Sequence, residues 1–170
     1  IFFAFNMLIR LRSNDNKVFT VTETIARRWS TIADILDDLS DDISEDYAKR
    51  ESIPANLRSA KEDKTILPIL VANHHTLQRV IQFTIKDETS SDLWEHVDAE
   101  AWRADETRWE KLLLAPLDND PLVDLFIVAD FLAYARLLET ARLLLSDRFC
   151  GQMPVLRQMM ANRQRPLPKI

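Results

Sequence analysis

Glycine is almost absent from this chain: Gly151 is the only one in 170 residues. Loops that cradle phosphate groups present backbone N–H donors and need several glycines, so P-loop and dinucleotide-binding folds are excluded. Cysteine is equally scarce. Cys150 alone cannot close an internal disulfide, which fits a reducing compartment, cytoplasm or nucleus. No apolar run approaches the roughly 20 residues of a membrane-spanning helix. The opening IFFAFN is short, and Arg10 and Arg12 follow it, the reverse of a signal peptide. Excess positive charge is missing too. A net charge of −5 argues against a general nucleic-acid binder, which needs a basic surface for phosphate contacts.

Arrangements that carry catalysis are also lacking. His74 and His75 are adjacent, so on a helix their side chains diverge by about 100° and cannot share one metal ion. His96 and Cys150 stand far from them in sequence. No serine sits in a nucleophile-elbow context, and the carboxylates fall in polar stretches where solvation is the default. No metal, cofactor or catalytic residue is expected. A small enzyme on a helical scaffold would have only the scattered histidines in its favour.

What the chain has is leucine, alanine and helical periodicity, with 46% hydrophobic residues, enough for one ordinary core. The stretch Pro121–Phe149 predicts two helices joined at Ala133-Tyr134-Ala135. In the first, Leu122, Leu125, Phe126, Ala129 and Leu132 share a face, and Val123, Ile127, Val128 and Phe131 cover most of the remainder. Such a helix is buried on more than one side. Asp120 is the expected N-cap, with Pro121 at the first helical position. The second helix places Leu137, Leu138, Ala141, Leu144, Leu145 and Phe149 on one side, and Arg136, Glu139, Asp147 and Arg148 on the other.

Upstream, Met7–Arg12 alternates with period two, Asn14-Asp15-Asn16 is turn chemistry, and Val18–Val21 returns, which predicts a hairpin. Thr22 is placed to cap a short helix with Ile25, Ala26 and Trp29. A further helix follows with Ile32, Ile35, Leu36 and Leu39 inward. Residues 43–65 read as a long polar loop with a helical turn near 56–61, Ile66–Val71 as a strand carrying Pro68 at an edge, and Asn73 as the cap of a helix with Leu77, Val80, Ile81 and Phe83. Residues 86–108 read as a second polar, acid-rich segment, with a short helix near Leu93, Val97 and Ala101. Met153–Ala161 reads as a last short helix, and RQRPLPKI as a tail. Charge is uneven: Asp34–Asp46 holds seven acidic residues and no basic one, while Gly151 to the end holds four basic and no acidic.

The order and spacing of IRLRS, NDNK, VFTV, TIARR, TIADILDDL, LPILVANHHTLQRVIQF, Trp109-Glu110 and VADFLAYARLLE resemble the S-phase kinase-associated protein family. These are the adaptors that join a cullin to F-box proteins in SCF ubiquitin ligases. The resemblance implies an α/β fold of BTB/POZ type, with about three strands flanked by a cluster of helices. It implies an adaptor domain over residues 7–149 and a shortened F-box-binding extension and tail over 150–170. It implies a non-catalytic role in the ubiquitin pathway, in cytoplasm and nucleus, with cullin and F-box proteins as partners and neither nucleic acid nor membrane. Asp130 and Phe131 stand where the family's Asn-Tyr pair contacts the cullin. Val123, Phe126, Leu138, Leu145, Phe149 and Leu156 are the expected apolar contacts for the F-box. In QMPVLRQMMAN only Leu156-Arg157 matches the family's groove motif, Arg142 replaces a small residue, and the family's final helix has no counterpart. A BTB-fold module with another partner, elongin C-like or self-associating, is the alternative.

Overall fold

The computed structural model describes residues 7–47, 66–90 and 98–163, with residues 40–47 described by their backbone alone. The alternation at the start forms β1 (Leu8–Ser13), with Ile9, Leu11 and Ser13 buried and Leu8, Arg10 and Arg12 exposed. The chain reverses through Asn16, whose φ of 63° is left-handed geometry that asparagine tolerates. It then pairs antiparallel as β2 (Val18–Thr22), with Ile9 opposite Val21. β3 (Ile66–Ile69) lies parallel to β1 on its other side, giving the order β2-β1-β3. Pro68 stands on this edge strand, where a missing N–H is tolerated.

Between β2 and β3 come α1 (Glu23–Ala26) and α2 (Ser30–Tyr47). The Thr22 side chain caps α1 by accepting from the Ile25 N–H. α2 reaches into the stretch expected to be loop from residue 43, and the helical turn expected near 56–61 lies outside the described residues. Ile32 and Leu36 are buried, but Ile35 and Leu39, expected inward, are 37% and 36% exposed. The reason is angular: the neighbours cover only the arc of α2 centred on Ile32 and Leu36.

α3 (His74–Thr89) starts where expected, Asn73 accepting from the Thr76 N–H at 2.9 Å, but runs on to Thr89. Its start is lashed to the hairpin turn. Asp15 accepts from the His74 backbone N–H at 2.9 Å, from Ser13 Oγ at 2.5 Å, and pairs with the His74 ring. The Ser13 and His74 hydrogen bonds hold the Asp15 carboxyl down to about 2, so it is ionised throughout the neutral range.

The segment read as polar carries α4 (Ala99–Ala104), whose Trp102 is fully buried. α5 (Trp109–Leu114), α6 (Asn119–Phe131), α7 (Ala135–Arg148) and α8 (Met153–Arg163) follow. α6 begins ahead of the expected Asp120 cap. Asp118 takes the N-cap position, and Pro121 is the third helical residue, still in the first turn where N–H groups lack helical partners. α6 is the core of the molecule: Leu122, Val123, Leu125, Val128 and Ala129 are each inaccessible to solvent. α7 packs along it with Leu137, Ala141, Leu144 and Leu145. Each such large side chain contributes about 1.5–3 kcal/mol on burial. α8 returns to α6, burying Leu156 and pairing Arg163 with Asp120 at 2.7 Å and Asp124 at 2.5 Å.

The α6–α7 elbow has a specific cause. The Tyr134 N–H reaches back to the Ala129 carbonyl, and the Ala133 N–H to that of Asp130. This is a Schellman ending, with Ala133 in the left-handed position usually given to glycine. Its φ is 51°. A side chain in that conformation costs about 1–2 kcal/mol, of which glycine's extra backbone entropy would return part. Ala133→Gly is therefore expected to stabilise the protein by about 0.5–1 kcal/mol, read as an increased urea midpoint. A decrease would show that the elbow is not strained. Gly151, with φ +77°, follows α7, and no atom lies within 4 Å of a Cβ added there, so backbone conformation alone calls for glycine.

Candidate functional site

The apolar side chains expected to form an open socket on the closing helices are largely used by the protein itself. Val123, Leu145, Phe149 and Leu156 are core residues, between 0% and 7% exposed. Phe126 and Leu138 are half-buried against the same core. α6, apolar nearly all round, is packed by α3, α7 and α8, and this takes up the apolar surface of α7 and α8. What α8 leaves outside is Met153 and Val155 at its first turn. Arg142 points to solvent and is paired with Glu139 at 2.6 Å.

Asp130 and Phe131, the pair expected to contact a cullin, are in a different position. Asp130 and Phe131 are both exposed, Phe131 at 42%, although the residues just before and after them, Ala129 and Leu132, are buried. α6 ends here against the start of α2. Thr31 donates its Oγ1 hydrogen to the Phe131 carbonyl at 2.8 Å and its backbone N–H to the Leu132 carbonyl at 3.2 Å. One N–H left over at the start of α2 and the Thr31 hydroxyl thus satisfy two carbonyls at the end of α6, and the two helix dipoles meet favourably. Along α2, Ile35 lies one turn beyond Thr31 and Leu39 one turn further. Phe131 on α6 and Ile35 and Leu39 on α2, between 36% and 42% exposed, are apolar groups these two helices leave open on either side of their junction, an α2–α6 strip.

The elbow that follows α6 is fixed by buried charge. Asp87, on α3, accepts from Tyr134 Oη at 2.5 Å and from Arg136 Nη1 at 2.6 Å, and Arg28 lies 3.1 Å away. Arg136 also faces Glu110 at 3.6 Å, which in turn accepts from Arg108 at 2.7 Å. The Arg136 guanidinium stands 4.8 Å from the centre of the Trp109 ring, which packs on Phe83. Burial and the Asp87 carboxylate push the Tyr134 phenol up, so it stays a donor. Trp29, at the foot of α2, donates to Thr84 Oγ1 on α3 at 2.9 Å. The end of α1, α3, the start of α5 and the α6–α7 elbow are thereby tied to one another through buried polar contacts.

This network was the part not foreseen. Arg136, expected on the polar side of α7, is 3% exposed. Its partners Asp87 and Glu110 sit 49 and 26 positions away in sequence, and no local pattern pairs them. The available signal was Glu110 following Trp109 at the start of a helix of leucines, a carboxylate where the periodicity left little water. Among the described residues no group of three or more His, Cys, Asp or Glu is placed to hold a metal ion, and no helix is long and apolar enough to cross a membrane.

Residues 7–54 match the family described as Skp1 family, tetramerisation domain. That stretch takes in β1, β2, α1 and all of α2, including Ile35 and Leu39. A search of curated proteins found no match. Residues 7–54 are thus similar to that family's domain, and the three-stranded mixed sheet with flanking helices is a BTB/POZ-type fold.

Proposed function

We propose, from a chain whose residues 7–54 are similar to the Skp1-family domain, that this protein is a non-catalytic adaptor that holds a cullin at the α2–α6 junction. The observation that carries the reading is the exposure of Phe131 at an elbow where Tyr134 and Arg136 are tied to Asp87, with Ile35 and Leu39 also open on the adjoining helix. Pre-organised apolar groups at a helix junction suit docking of a partner helix, because little ordering entropy is lost on binding. Phosphate, metal or redox chemistry finds no comparable support among the described residues.

An F-box partner on α7 and α8 is the second half of the adaptor reading. Half-buried Phe126 and Leu138, with exposed Met153 and Val155, are the apolar groups available to it. That is a smaller surface than the sequence promised, and an F-box contact here is expected to be weaker than the cullin contact. Ubiquitin ligase assembly in cytoplasm and nucleus follows from the same proposal. Self-association is the competing use of the fold, supported by the description of the matching family as a tetramerisation domain.

Co-purification separates these uses. The chain is expected to retain the amino-terminal helical domain of a cullin and to run as a monomer when alone. A stable homo-oligomer by light scattering that retains no cullin domain would favour self-association and end the adaptor reading.

A further inference from the structure

The apolar strip at the α2–α6 junction has an acidic border. With Thr31 taken as the reference direction on α2, Ile35 lies at about +40° and Leu39 at about +80°, toward the buried arc. Asp38 lies at about −20° and Asp34 at about −60°, on the open side. Both are exposed, and so is Asp130 immediately before Phe131. None of these three carboxylates forms an ion pair among the described residues, whereas Asp37, on another side of α2, is paired with Arg27 at 2.7 Å. The basic residues nearest in sequence are also committed: Arg27 to Glu23 and Asp37, and Arg28 to Asp87 and Glu88.

Exposed carboxylates around an apolar strip select a partner by sign. They steer oppositely charged surfaces toward the site and repel like-charged ones. We infer that the α2–α6 strip receives an amphipathic helix whose apolar face is flanked by lysine or arginine, these cations facing Asp34, Asp38 and Asp130. The inference rests on the adaptor reading and adds to it the charge of the partner's contact surface. It also gives Asp130 a role of its own: as the carboxylate in place of the family's amide, it narrows the set of acceptable partners to those with a basic border.

The test uses the full chain and cullin amino-terminal helical domains as probes, by titration calorimetry between 25 and about 300 mM salt, a range over which exposed charges become largely screened. Affinity of the wild-type chain is expected to fall at least fivefold across that range. In the variant Asp34→Lys/Asp38→Lys/Asp130→Lys it is expected to drop at least tenfold at low salt, and then to rise rather than fall with salt. The carboxamide variant Asp34→Asn/Asp38→Asn/Asp130→Asn should bind with little salt dependence, and retained thermal unfolding in both variants excludes misfolding as the cause. Binding that is unaffected by salt and by either variant overturns the acidic-border inference and leaves the adaptor reading standing. Failure of the wild-type chain to bind any cullin domain overturns the adaptor reading, and the inference with it.

Discussion

Replacing Arg136 with alanine is expected to destabilise the protein by about 3–5 kcal/mol, the cost of leaving a buried charge without its partner. The side chain is 3% exposed and lies between Asp87, 6% exposed, and Glu110, 1% exposed. Without it, two carboxylates remain in a low-dielectric interior. Asp87 keeps Tyr134 and the more exposed Arg28, and Glu110 keeps Arg108, so the loss is expected at the lower end of that range rather than above it. Against a typical total of about 5–15 kcal/mol, this is a large fraction. Urea unfolding should show a markedly lower midpoint with an unchanged slope. The double variant Arg136→Ala/Asp87→Ala should lose less than the sum of the two single losses, because the second substitution removes a charge the first left exposed to the apolar core. A single-variant loss under about 1 kcal/mol would mean that the carboxylates do not depend on Arg136. The same substitution should also weaken partner binding, since Tyr134 and Arg136 follow Phe131 directly at the elbow.

Much of the fold was written in local patterns. The period-two alternation of β1, the Thr22 and Asn73 caps and the all-round apolarity of α6 are each decided by residues within a few positions of one another, and each was readable. Boundaries that depend on packing were not. α3 continues to Thr89 because Asp87, a residue that reads as solvent-facing, is drawn into the core by Tyr134 and Arg136. The socket residues show the same limit from the other side. A stripe such as Leu138, Leu145 and Phe149 looks identical in sequence whether it meets another protein or the chain's own central helix. Only the tertiary packing of α7 and α8 on α6 decides that it turns inward. Conversely, Ile35 and Leu39 look like core residues by spacing, and it is the narrow arc of contact on α2 that leaves them half exposed. Asp130 and Phe131 are singled out in sequence only by resemblance to the family motif; what the structure adds is their exposure between buried neighbours.

Phe131 is where the account is most exposed to test. An aromatic ring at the centre of a docking strip is the kind of side chain whose truncation costs about 2 kcal/mol or more in binding, roughly a 30-fold loss of affinity. The folded state should notice much less, about 1 kcal/mol, since the residue is already 42% exposed. That separation between binding and stability distinguishes a docking residue from a packing one. Leu112, 62% exposed on α5 and outside the strip, serves as the matched control, and its replacement by alanine should leave affinity unchanged. The decisive measurement is the dissociation constant for a cullin amino-terminal domain of the wild-type chain, Phe131→Ala and Leu112→Ala, each with its unfolding midpoint. The account predicts a loss of about 30-fold for Phe131→Ala with a near-native midpoint, and no loss for Leu112→Ala. Equal affinity of all three proteins would contradict it, and would place the contact surface somewhere other than the α2–α6 junction.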